Sequence, residues 1–145
     1  MTATLLANLA ATLFMTGLIW FVQVVHYPLF AAVGRDGFAA YHAAHSRRTT
    51  AVVMPVMVIE AVTALLLAWR PPPGLPVAAA LVGLGLVAAI WASTGLAQVP
   101  CHGRLGAGFD AATVRALVGG NWLRTAAWTA RSALLLWMVA RAGTA

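Results

Sequence analysis

Long apolar runs alternate along this chain with polar connections that carry histidine. The runs cover about 5–25, 50–69, 75–97 and 121–140. Each is close to the ~20 residues that a helix rising about 1.5 Å per residue needs to cross a hydrocarbon core of about 30 Å. Backbone groups in lipid must pair within their own segment, so each run is expected to be a helix. Arg70, three prolines and Gly74 join the second and third runs in a helix-breaking turn. The other two connections are long and carry helical patterns of their own. Residues 38–48 and 110–118 read as short helices lying at the membrane interface. Asp110 would cap the start of the second, and Gly119 and Gly120 would stop it. The pattern predicts an all-α fold: a four-helix transmembrane bundle forming a single domain over residues 1–145, with two short interfacial helices capping one end.

Composition agrees with that pattern. Hydrophobic residues make up 62% of the chain and charged ones 8%, where a soluble domain carries about 25% charged residues. The formal charge of +6 comes from nine arginines without a lysine. No basic tract accompanies it, so a nucleic-acid partner is not expected. The expected partners are the lipid bilayer, a lipophilic small molecule and further copies of the chain. A single cysteine, Cys101, rules out an internal disulfide. No Lys or Arg precedes Leu5, so the first run is read as a retained span, not a cleaved leader. Arg35, Arg47, Arg48, Arg104, Arg115 and Arg124 lie in or beside the long connections, against Arg70 and Arg141 on the other side. That asymmetry places the long connections on the cytoplasmic face of a bacterial inner membrane.

Polar groups inside the runs carry the candidate chemistry. Glu60 and Arg131 lie at matched depths, roughly 13 and 15 Å from the same side by helical rise. Charges at such depth face the bundle interior and pair. The pair either fixes helix register or leaves Glu60 as a ligand or base. Asn121, Arg124, Thr125, Trp128, Arg131 and Ser132 recur at one-face helical spacing. Trp91, Thr94 and Gln98 form a second such face, and Thr16, Trp20, Gln23 and Tyr27 a third. Gly83 and Gly85 read as close helix packing, and Pro55 as a kink above Glu60.

All four histidines, His26, His42, His45 and His102, fall in the long connections. Imidazole is the commonest protein ligand for transition metals, so copper, iron or zinc is the expected cofactor. Non-covalent haem is the alternative, because Cys-x-x-Cys-His is absent. Gln23 and Gln98 precede His26 and His102 and would fix ring tautomers. Gln23, Trp91, Gln98 and Trp128 are expected to bind the cofactor or ligand. Arg124, Arg131 and Asn121 would orient or polarise a substrate. Tyr41 and Tyr27 are candidate relays or interface anchors. Cys101 is a ligand, a reactive thiol or a small buried residue. The first and third runs, with their Gln–His endings, also hint at an internal repeat.

The span layout and the Asn121-Trp122-x-Arg124-x-x-x-Trp128 opening of the last run resemble the anthrone-oxygenase-like family of small membrane proteins. The resemblance covers mainly the last quarter. It implies oxidation of a lipophilic, quinone-like or polyphenolic compound. His42 and His45 are not part of that pattern. The expected activity is thus a metal-dependent membrane oxidoreductase or oxygenase. A non-catalytic haem, metal or quinone-binding subunit and a small oligomeric transporter are the alternatives.

Overall fold

The computed structural model describes residues 2–143. Helix α1 (Ala3–Phe21) starts at Thr2, whose hydroxyl accepts from the Leu5 amide at 3.3 Å. It widens into a π-helical segment, Val22–His26, and tightens into a 3-10 segment, Pro28–Ala32. Helix α2 (Arg35–Trp69) follows the positive-φ Gly34 and runs for 35 residues. After the proline turn, α3 (Val77–Ser93) widens into a second π-helical segment, Thr94–Gln98, and continues as α4 (Val99–Leu105). Helix α5 (Ala111–Ala142) completes the chain.

The two π segments share a physical cause. Each is followed within two residues by a proline, Pro28 or Pro100. A proline lacks the amide that would bond four residues back, and its ring crowds that carbonyl. The carbonyls concerned belong to Val24 and Leu96, both inside the widened turns. Widening moves the carbonyl aside without ending the helix. The hinted repeat thus has a local structural counterpart.

Helix α1 packs on α2 and α5, and α3 packs on the same two helices, so the four long helices close a ring in the order α1, α2, α3, α5. One apolar cluster, with Met15, Ile19, Phe30, Phe38, Leu117 and Trp128, fills the histidine end. A smaller one, with Leu5, Leu67, Leu135 and Met138, fills the other. Polar residues lie between them, while Leu6, Phe14, Phe21, Leu65, Leu81, Leu96 and Leu136 face outward. Among the described residues, three stretches are long and apolar enough to cross a membrane: Ala3–Ala32, Arg35–Trp69 and Val77–Leu105. Helix α5 has the length, but Arg115, Arg124, Arg131 and Arg141 make it less apolar.

Several expectations need correction. Residues 38–48 are not a separate interfacial helix but the first part of α2. Phe38, His42 and His45 are buried at helical spacing, so this face of the segment packs into the protein. Residues 110–118 likewise belong to α5. Gly119 and Gly120 do not stop it, because neither adopts the left-handed conformation that ends a helix. Gly120 serves packing: a Cβ there would sit 3.1 Å from Gln98 Nε2. Gly83 packs near Arg131 and Leu134, whereas Gly85 faces open space. Trp20 is not an interior residue. It is 42% exposed, donates to Thr129 Oγ1 at 3.0 Å and meets Trp122 edge-on. The α2 helix runs through Pro55 without interruption.

Candidate functional site

Three segments deliver the histidines to one end of the bundle. His26 ends the first π segment, His42 and His45 lie one turn apart on α2, and His102 lies on α4. His26 Nε2 is 2.8 Å from His45 Nδ1, and His42 Nε2 is 3.0 Å from His102 Nδ1. The Tyr27 hydroxyl is 3.0 Å from His102 Nε2, and Thr49 Oγ1 is 3.1 Å from His45 Nδ1. The His45 and His102 rings stack at 5.6 Å between centroids, which joins the two pairs. Phe30 stands edge-on to His26, His42 and His45, and Phe38 stacks on His42. These rings make the cluster an aromatic-walled, partly buried layer.

A neutral imidazole has one donor and one acceptor nitrogen. When Tyr27 donates to His102 Nε2, the proton of His102 sits on Nδ1 and points to His42 Nε2. The three residues form a directional hydrogen-bonded chain whose sense reverses if every proton shifts. The ring nitrogens meet in pairs rather than around one point. Accordingly, among the described residues no group of three or more His, Cys, Asp or Glu is disposed to hold a metal ion. Ligands at about 2.0–2.1 Å around a tetrahedral ion stand roughly 3.4 Å apart, a little wider than the two pairs. Tyr41 packs edge-on to Phe30 and borders a groove with His26, His45 and Thr49. Cys101 is half-buried against the core.

Beneath the cluster lies a cavity of about 140 Å³. Its walls are largely apolar, from Met15, Ile19, Val22, Val53 and Met57, with Tyr27, Gln98, His102 and Arg124 among its polar members. Arg124 is buried, its Nη1 donates to Asn121 Oδ1 at 3.3 Å, and its guanidinium lies 5.1 Å over the Trp128 ring. Its Nε has no acceptor, and the buried Gln98 Oε1 has no donor. Asn121 in turn donates to Gln23 Oε1 at 2.8 Å, and Gln23 donates to the Val118 carbonyl at 3.1 Å. Gln23 thus ties α5 to the first π segment, and its hydrogen bonds go to Val118, Asn121 and Thr125. Trp91 packs against the core with its indole nitrogen unpartnered.

Glu60 and Arg131 pair at 3.0 Å in the polar layer between the two apolar clusters. The Glu60 carboxylate also accepts from Thr12 at 2.7 Å and from the Trp128 indole at 2.9 Å. Arg131 donates further to Asn8 Oδ1 at 3.0 Å, to Thr12, and to the Gly83 carbonyl. Four helices therefore meet in one saturated network, with Glu60 fully buried and Arg131 1% exposed. Neither residue lines the cavity. Sequence reasoning misses Asn8 and Thr12. Polar residues at 8, 12 and 16 of an apolar run, one turn apart, are the available signal. It also misses Thr49, and Phe30 and Phe38 as the walls of the cluster. No family model, curated protein or solved structure matches the chain.

Proposed function

We propose that the chain is an integral membrane oxidoreductase acting on a lipophilic, quinone-like molecule, with all four long helices crossing the bilayer as a bundle. One observation carries this reading. Tyr27 and His102 line the apolar cavity and begin the hydrogen-bonded chain that leads to His42. A quinone-like molecule exchanges protons whenever it exchanges electrons, and a buried ring needs a path for them. Tyr27 would hold or take up the proton at the ring oxygen, and His102 and His42 would carry it toward the bundle end. The apolar walls keep water from competing for that oxygen. The Glu60–Arg131 network, with Asn8 and Thr12, would hold the helices in register around the cavity. Helix α5 joins the spans because Arg124 and Arg131 turn inward while Leu123, Leu136 and Trp137 face outward. The arginine asymmetry puts the histidine end on the cytoplasmic side.

His26, His42, His45 and His102 are the residues that would hold copper, iron or zinc. A redox metal there would supply the electron step. Haem has less support, because imidazoles 2.8 and 3.0 Å apart leave no space for a macrocycle between them. The pairing of nitrogens favours a second reading, a quinone-binding subunit that moves protons without a metal. A transport pathway through Glu60 draws no support from a carboxylate whose neighbours already saturate it.

Elemental analysis of the purified protein, beside His42→Ala and His45→Ala, separates these readings. About one copper or iron ion per chain, lost in both variants, supports the oxidoreductase, whereas zinc, without redox chemistry, does not. A metal-free protein that binds a short-chain quinone saturably, and loses it on Tyr27→Phe and His102→Ala, supports the subunit. Neither metal nor quinone binding would sink both.

A further inference from the structure

The cavity beneath the histidines contains a cation without a counter-ion. Arg124 is 6% exposed, and no carboxylate lies within ion-pair distance of it among the described residues. The contrast with Arg131 is sharp. About two turns further along α5, that guanidinium meets Glu60, Asn8, Thr12 and the Gly83 carbonyl. Arg124 has a long hydrogen bond to Asn121, the phenol of Tyr27 beside it, a tryptophan face and an Nε without an acceptor. Burying a charge in apolar surroundings is costly unless it is paired. The same cavity holds a second incomplete group, Gln98, which is 2% exposed and whose Oε1 has no donor. The unpaired guanidinium in an apolar space describes the ligand it lacks, whereas Gln98 Oε1, an acceptor, would take a donor and offers an anion nothing. That ligand carries an anionic oxygen for the guanidinium, with the rest of its surface apolar.

Size narrows the class. At about 140 Å³ the cavity is close to the roughly 150 Å³ that encloses one benzene molecule. It opens outward where the exposed Met54 and Val99 line it, so it seats about one ring and leaves anything larger to extend outside. We infer that the cavity binds an apolar ring bearing a carboxylate or ionised hydroxyl, held by Arg124. This deepens the proposed function by giving the class of its small molecule, and it rests on the cavity being that molecule's site. It is distinguished from the metal by its readout, since Arg124 donates to no histidine nitrogen although Tyr27 lies between it and His102.

Benzoate and nitrobenzene test it directly, being alike in shape, without a donor, and different in charge. Binding to the full chain in detergent micelles at neutral pH is measured by competition against radiolabelled benzoate. Benzoate should bind saturably, and nitrobenzene at least about tenfold more weakly, the loss of one charge-assisted contact. Arg124→Gln should remove the preference while elution volume and helix content stay as in the parent. Met57→Trp, which fills the cavity from a different helix, should abolish binding of both compounds. Equal binding of the two compounds to the parent chain overturns the inference without recourse to any variant. So does benzoate binding that survives Met57→Trp. The metal content of Arg124→Gln, measured alongside, should equal that of the parent. Benzoate binding without metal or quinone binding would leave the anion site standing and remove the oxidoreductase reading.

Discussion

Replacing the buried ion pair at mid-bundle gives the most demanding check on how this fold is held. Arg131→Met removes the donor to Glu60 Oε1 at 3.0 Å and the donors to Asn8 Oδ1 and the Gly83 carbonyl. It leaves a carboxylate at zero exposure whose remaining donors are Thr12 and Trp128. Breaking a buried pair from one side costs about 3–5 kcal/mol, because the other charge stays behind. Glu60→Gln strands the guanidinium in the same way and should fall in the same range, toward its lower end, because the amide oxygen still accepts. Replacing both removes both charges and leaves polar groups that can pair with one another. The double variant should therefore cost well below the sum, with a coupling of at least about 2 kcal/mol. Stability would be read from SDS-induced unfolding in mixed micelles, followed by tryptophan fluorescence and circular dichroism for the four proteins of the cycle. A coupling under about 0.5 kcal/mol, which is within ordinary additivity, would mean that the two groups do not depend on each other. The polar layer would then not be what sets the register of the four helices.

Smaller perturbations probe the glycines, the helix cap and the indole donor. Gly119→Ala should stabilise the protein by about 0.5–1 kcal/mol, since the position is helical and a Cβ there meets nothing. Gly120→Ala should gain less, because the new Cβ presses on Gln98 at 3.1 Å; equal gains in thermal unfolding would refute that packing. Asp110 caps α5 by accepting from the Thr113 amide at 2.8 Å and from its hydroxyl. Those bonds hold its carboxyl below the ordinary 3.8. Its contribution is therefore complete above the unfolded value and disappears as pH falls through the lower folded one. Asp110→Ala should weaken hydrogen-exchange protection in the first turn of α5 at pH 7, and the difference from the parent should vanish in strong acid. Trp128→Phe removes a donor to a buried carboxylate and should cost about 1–3 kcal/mol; a neutral result in the same SDS titration would show that Thr12 and Arg131 satisfy Glu60 by themselves.

Much of this protein was legible in its residues because lipid imposes a strict code. Run length and the scarcity of charge required helices, and no other element appears among the described residues. Matched depth picked out Glu60 and Arg131 as partners, because a charge in an apolar medium must find one. Helical spacing on the last run collected Asn121, Arg124, Trp128 and Arg131 onto a buried stripe. The gathering of the four histidines at one end followed from their all lying in the two long connections.

Other features only the assembled chain decided. Residues 38–48 and 110–118 looked like separate helices because their polarity differs from the spans they adjoin. Polarity reports the medium around a segment, and it cannot say whether the backbone continues through the boundary. Trp20 and Tyr27 share a helical pattern, yet the first stands outside and the second inside. The π turn between them adds a residue to the helical repeat and rotates the side chains beyond it. Whether imidazoles surround one point or meet in pairs is a matter of tenths of an ångström in ring placement. Phe30 and Phe38 contact the rings, and Thr49 reaches His45 Nδ1 at 3.1 Å, only once the chain is folded. A solitary Arg124 and a satisfied Arg131 are indistinguishable as letters, because a counter-ion comes from whatever helix happens to lie opposite.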